Sequence, residues 1–112
     1  MLMAGEWSEW RKFPDPRKLE NLIAPFGPGC YELRDGAELI LFGKGRSVAH
    51  RMASLLPEPH GCGTRNNSFK REYVFAHLGS IEYRTLPCAS AEEADKSERE
   101  LKAQAAKYKF RT

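Results

Sequence analysis

Gly29-Cys30-Tyr31-Glu32-Leu33-Arg34-Asp35-Gly36-Ala37-Glu38-Leu39-Ile40-Leu41-Phe42-Gly43-Lys44-Gly45 is the stretch whose reading decides the fold. Asp35-Gly36 between two apolar-rich segments is a hairpin signal, because glycine takes the positive φ that a tight primed turn requires. Leu39 to Phe42 is apolar at every position, which predicts an interior strand covered on both faces. The turn brings Tyr31 beside the neighbourhood of Leu41. It also delivers Gly43-Lys44-Gly45-Arg46 to the start of the next helix.

That helix opens at Ser47, a capping residue, and is expected to run to about Leu56, before Pro57. Val48, Met52, Leu55 and Leu56 form its apolar stripe. Arg51 falls about 60° from the centre of that stripe, where its guanidinium can either snorkel to solvent or point into a cleft. Six Lys/Arg residues (44, 46, 51, 65, 70 and 71) lie between Lys44 and Arg71 against a single acid, Glu58. In a chain of net charge +3 this local excess suits a phosphate backbone, or a plain solvated basic face.

Pro57 to Asn67 reads as a loop. His60 and Cys62 are too few and too closely spaced for a zinc set. Thr64-Arg65-Asn66-Asn67-Ser68 is rich in donors; it either contacts phosphates and bases or caps the following helix. That helix spans Ser68 to Leu78, with Phe69, Tyr73 and Ala76 expected inward, Lys70 and Arg71 outward, and Gly79 at its end. Ile81 to Leu86 alternates and predicts a half-buried strand, stopped by Pro87.

Ser90-Ala91-Glu92-Glu93 is a capping box, opening a helix expected to reach about Tyr108. Ala91, Ala94, Leu101, Ala105 and Tyr108 form its apolar stripe. Glu98 falls inside the stripe, about 40° from Ala94 and about 60° from Leu101. A carboxylate in that position requires a partner, either a structural Arg or Tyr or a metal ion.

Gly29-Cys30-Tyr31, followed after ten residues by Leu41-Phe42-Gly43, resembles the hairpin of the GIY-YIG endonuclease superfamily. The resemblance extends over residues 29 to about 106. Arg51 stands ten residues after Leu41, where the family has an essential arginine, and Lys44 matches a lysine that often follows the second-motif glycine. Glu98, in Lys96-Ser97-Glu98-Arg99-Glu100-Leu101, matches the metal-binding glutamate of the last helix, with Glu100 the alternative if the register slips by two. The sequence departs from the pattern at Leu41, where the family usually has tyrosine.

The resemblance implies an α+β sandwich: a small three-stranded antiparallel sheet flanked by helices, in the order β-β-α-α-β-α. It implies a domain at residues 28–112, preceded by an arm at residues 1–27. In that arm Asp15 and Pro16 start a short helix that Pro25 ends. Trp7, Trp10 and Phe13 either close one end of the core or stack on unpaired bases.

The implied activity is divalent-metal-dependent hydrolysis of DNA phosphodiesters. Glu98 would bind Mg²⁺ or Mn²⁺, Tyr31 would help to deprotonate water, and Arg51 would stabilise the developing charge. Lys44, Arg46, Arg65, Asn66, Lys70 and Arg71 are the expected substrate-binding residues, forming one positive surface beside the cleft. A phenol acting as base needs a pKa well below about 10, which nearby cations favour. With Leu41 in the second motif, Tyr31 acts alone, or His50 or Tyr83 assists. Otherwise the chain is a non-catalytic nucleic-acid-binding or protein-interaction module on the same fold.

With 112 residues the chain is expected to form one domain with a modest core. No apolar run is long enough to span a membrane, and the N-terminus carries no signal-peptide core. Three cysteines without a CxxC pair predict free thiols and a cytoplasmic location.

Overall fold

In a computed structural model the chain is described at residues 6–15, 18, 22–53, 55 and 68–110. The hairpin forms as the sequence predicts. β2 (Gly29–Asp35) pairs antiparallel with β3 (Glu38–Gly45) through Asp35↔Glu38, with Gly36 at φ +61° in the turn. A register shift between Leu33 and Arg34 leaves Leu33 opposite Leu41 and Tyr31 opposite Gly43. Next come α1 (Val48–Ala53), α2 (Ser68–Ala76), β4 (Ile81–Pro87) and α3 (Ala91–Lys102). From Gly29 onward the element order is the expected one.

The expected three-stranded sheet has a fourth strand. β1 (Arg11–Lys12), within the N-terminal arm, pairs with β4, giving the order β1-β4-β2-β3. The arm follows the free edge of β4: the Ser8 N–H donates to Thr85 O at 2.8 Å and the Phe13 N–H to Ile81 O at 2.9 Å. An uncovered edge is a row of unpaired backbone groups, and the arm satisfies part of that row. The Lys18 N–H donates to the Asp15 carbonyl, consistent with a turn starting at Asp15. Leu22 to Pro25 is not helical, so the expected short helix does not reach Pro25; Pro16 and Leu19 lie outside the described residues.

β3 is an edge strand, contrary to the interior position expected from its apolarity. Apolar residues on both faces mean that both faces are covered, which is independent of whether both edges are paired. On one face Tyr31, Leu33, Leu41, Ile81 and Tyr83 pack with Val48, Met52 and Leu55 from α1 and its end, Val74 and Leu78 from α2 and its end, and Phe13 from the arm. The other face meets α3: the Cys30 thiol donates to Ala94 O at 3.4 Å, and the Phe42 and Tyr108 rings lie 4.8 Å apart. The outer edge of β3 is partly covered by the chain's last described residues, whose Lys109 and Phe110 N–H groups donate to Leu39 O and Ile40 O.

The capping signals translate into structure with one adjustment. Ser47 Oγ accepts from His50 N–H at 3.3 Å, and Ser90 Oγ accepts from Glu93 N–H at 3.1 Å. The Glu93 carboxylate reaches back to the N–H of Ala89, one residue before the cap. α3 ends at Lys102, short of the expected Tyr108; a 3₁₀ turn at Ala105–Lys107 follows, and Tyr108 is extended. The reason is polar. The Tyr108 hydroxyl donates to Glu32, a carboxylate only 2% exposed in the middle of β2. The Arg84 guanidinium donates to the other Glu32 oxygen and lies over the rings of Trp7 and Trp10 at 4.6 and 4.8 Å. The two tryptophans thus cover an ion pair on the sheet's α3 face, while Phe13 is wholly within the core.

α2 is rotated from its expected setting. Phe69 is 71% exposed and Ala76 is exposed, whereas Lys70 is 5% exposed. Two glycines separate the constraints of packing from those of dihedral angle. A Cβ at Gly29 would lie 2.4 Å from Leu86 O, a backbone atom that cannot move aside, and 2.9 Å from Val48. Gly36 has open space around it and only its positive φ to defend. In urea titrations Gly29→Ala is expected to lose about 3 kcal/mol or more. Gly36→Ala should lose about 1 kcal/mol. Equal losses at the two positions would contradict the close β2–β4 approach.

Candidate active site

At the open edge of β3, a cleft of about 320 Å³ is lined by Tyr31, Phe42, Gly43, Lys44, Arg51, Lys70 and Glu98. Four elements and the strand edge contribute. Tyr31 comes from β2, Arg51 from α1 and Lys70 from α2, all on the core face. Glu98 comes from α3 on the opposite face, and Phe42 to Lys44 form the strand between. Because β3 is the sheet's edge, groups from both faces can meet around it.

The glycines on either side of Lys44 make this meeting possible. A Cβ at Gly43 would lie 2.4 Å from the Tyr31 hydroxyl and 2.6 Å from the ring carbon that bears it. A Cβ at Gly45 would lie 2.9 Å from the Arg51 Cβ. The bare backbone therefore admits the phenol on one side of Lys44 and the arginine stem on the other. The close neighbours of this bare backbone are two of the site's own side chains.

Charge in the cleft is largely matched within it. Lys44 Nζ hydrogen-bonds Asp95 and lies 3.7 Å from Glu98 Oε1. Lys102, one turn further along α3, lies 3.4 Å from the same oxygen. The Asp95 hydrogen bond holds the Lys44 ammonium above its ordinary pKa, and the Lys44 hydrogen bond holds the Asp95 carboxyl below the usual carboxylate range. Asp95 stands three residues before Glu98, so one helix face offers Lys44 both acids. Glu98 is the half-buried carboxylate the periodicity singled out, with its side chain 16% exposed.

Lys70 is buried against the cleft, where the sequence places it in solvent. Exposing Phe69 forgoes about 1.5–3 kcal/mol of apolar burial, which the same rotation offsets by burying Val74 and Leu78 on the face that carries Lys70. Cys30, next to Tyr31 and turned to α3, has its thiol pushed up to about 12, first by burial and then by the nearby Cys88 and Glu98. It is an inert packing thiol, not a nucleophile.

Other expected substrate contacts divide. Arg46 is exposed and lines an adjoining groove of about 350 Å³ with Lys44, Gly45, Ala91, Ala94 and Asp95. Basic residues thus run from Arg46 through Lys44 to Arg51 and Lys70, with Asp95 interposed. Arg71 lines neither cavity and is half-buried, its Nε without a hydrogen-bond partner. Arg65 and Asn66, with His60 and Cys62, lie outside the described residues.

Neither proposed stand-in for the missing phenol reaches the cleft. His50 is exposed and lines no part of it, and the Tyr83 hydroxyl is tied to the N–H and carbonyl of Ile23 at 2.9 and 3.1 Å.

No group of three or more His, Cys, Asp and Glu residues is placed to hold a metal among the described residues. A single carboxylate fits Mg²⁺ that keeps most of its water, and does not fit zinc. No helix among the described residues is long and apolar enough to cross a membrane.

Comparison with protein-family models, with curated proteins and with solved structures finds no match to this chain.

Gly43→Ala tests the seating of Tyr31. The ring is fully buried and cannot swing aside without displacing its neighbours. The substitution is expected to lower stability by about 1–3 kcal/mol. In a Tyr31→Leu background the same alanine should cost markedly less, a coupling read by a double-mutant cycle in urea.

Proposed function

We propose that this chain is a divalent-metal-dependent DNA endonuclease of the GIY-YIG type, acting at the β3 cleft. The observation that carries the reading is the convergence of Tyr31, Lys44, Arg51, Lys70 and Glu98 on one cavity from five elements and both faces of the sheet. These are the groups that phosphodiester hydrolysis requires. The cationic groups answer the charge that builds on phosphoryl oxygens, and a guanidinium matches two of those oxygens at once. Lys70 adds charge from a buried position, where it is poorly screened. Tyr31 is the single phenol among the described residues that line the cleft and serves as the proton acceptor for the attacking water.

Glu98 would hold Mg²⁺ or Mn²⁺, which supplies Lewis-acid stabilisation of the phosphoryl oxygens when bound. Lys44 then acts as a counter-charge that keeps Asp95 ionised and holds both carboxylates in place until the cation and substrate take over. A reducing, cytoplasmic setting is supported by the free thiols of Cys30 and Cys88.

A second reading, a non-catalytic nucleic-acid-binding or protein-interaction module on the same fold, is favoured by Leu41. That side chain is fully buried among core residues, so the second motif contributes packing where a hydroxyl is expected. Placing tyrosine there would overfill the core, so Leu41→Tyr is expected to destabilise rather than to restore a second phenol.

Cleavage of supercoiled plasmid and single-stranded DNA with Mg²⁺, Mn²⁺ or chelator separates the two readings. Glu98→Gln is expected to abolish metal-dependent cleavage and retain DNA binding. Arg51→Ala should lose about 10²–10³-fold in cleavage rate and also weaken binding. Binding should fall steeply with added salt, as phosphate contacts release counterions. No cleavage by the wild type with either metal selects the non-catalytic module, and cleavage that survives Glu98→Gln removes the assigned metal site.

A further inference from the structure

Lys44 lines two cavities, the cleft and the adjoining groove of about 350 Å³ that it shares with Gly45, Arg46, Ala91, Ala94 and Asp95. The two therefore meet at one side chain. Lys44 and Arg46 are two residues apart, so their Cα atoms lie at most about 7 Å from each other. That separation is on the order of one step along a nucleic-acid backbone. A DNA strand is a row of phosphates at such steps, and a strand with one phosphate in the cleft has to carry the next one past Lys44 or away from it.

The charges of the groove decide between those two. Asp95 is the single acid among its described lining residues, and Lys44 is hydrogen-bonded to it. That bond is the main reason the Asp95 carboxyl sits below the usual carboxylate range; Arg46 adds only a weaker attraction. Arg46 is exposed and makes no hydrogen bond or salt bridge with the described residues. With Asp95 matched by Lys44, Arg46 is the charge left over, and the groove favours an anion. A guanidinium matches two phosphate oxygens at once. Glu92 and Glu93, the acids nearest on α3, do not line the groove, and the Glu93 carboxylate is turned back to the Ala89 N–H.

We propose that the Arg46 groove is a second phosphate subsite, taking the phosphate that neighbours the one in the cleft, so that the substrate is a DNA strand continuing past the scissile bond on the Lys44 side. This rests on the reading of the cleft as a phosphodiester site and adds what the substrate carries beyond the bond that is cut. Arg46 does no chemistry; it is a binding residue that holds the strand in line with the cleft.

The test is fluorescence anisotropy of labelled single-stranded and duplex DNA over a salt series, under chelation so that no cleavage intervenes. Arg46→Ala is expected to weaken binding about tenfold, within the range of one lost charged hydrogen-bonding partner. The slope of log affinity against log salt should become shallower by about 0.7–0.9, the share of one phosphate. Lys96→Ala removes the same charge from an exposed position of α3 that lines neither cavity, and should change little. Ala91→Met narrows the groove from an exposed helix position without altering charge, and should also weaken binding. In competition, a thymidine trinucleotide, with two phosphates, should outcompete the dinucleotide, with one, on the wild type and much less on Arg46→Ala. The subsite is overturned if Arg46→Ala leaves affinity and slope unchanged, if Lys96→Ala weakens binding as much, if the narrowed groove binds as tightly, or if both proteins gain equally from the second phosphate. Wild-type protein that binds no DNA overturns both the subsite and the phosphodiester reading. Binding that depends on Arg46 in a protein that cleaves nothing removes the endonuclease and leaves the subsite standing.

Discussion

Tyr31 and Arg51 reach the cleft only because Gly43 and Gly45 carry no side chain. The phenol occupies space that a Cβ at Gly43 would take, and the arginine stem occupies the space of one at Gly45. This contact depends on a single register, Tyr31↔Gly43, set by the two-residue turn and by the shift between Leu33 and Arg34. A slip of one residue would turn Tyr31 to the other face and set it against Lys44 or Phe42. The hairpin therefore does two things at once: it starts the sheet and it sets the spacing of the site.

Two ionic clusters hold the α3 face of the sheet, and they differ in kind. Glu32 is closed in, bonded to Arg84 and Tyr108 and roofed by tryptophan. With each carboxylate oxygen hydrogen-bonded, it carries no open valence, and removing either partner would leave a buried charge. The Lys44–Asp95–Glu98 cluster is half-open at the cleft, with side chains between 16% and 47% exposed. Ion pairs of that exposure contribute little to stability, so their value lies in keeping charge ready at the cavity. α3 is thus anchored by Ala94 and, through the turn that follows it, Tyr108, while its acids face the cleft.

α2 shows the same division between packing and use. Val74 and Leu78 seat the helix and its end against the core. Tyr73 donates to Asp35 at 2.9 Å and stacks on His77, tying the helix to the hairpin turn. Those contacts set its rotation, and the rotation dictates that Lys70 goes in and Phe69 out.

Local chemistry in the sequence determined the elements. The Asp-Gly turn, the serine caps at 47 and 90, the alternation of Ile81, Tyr83 and Thr85, and the proline and glycine stops act within a few residues, so they are legible without the fold. The same is true of Glu98, because a carboxylate inside an apolar stripe is a conflict that periodicity exposes. Tertiary structure alone decided the rest. It recruited Arg11–Lys12 as a fourth strand, because the need to cover β4's edge lies in another part of the chain. It made Glu32 a buried charge and Asp95 a partner of Lys44, because those pairs are 52 and 51 residues apart in sequence. It also inverted α2 and stopped α3 at Lys102, since rotation and length there follow from distant contacts that helix propensity does not contain.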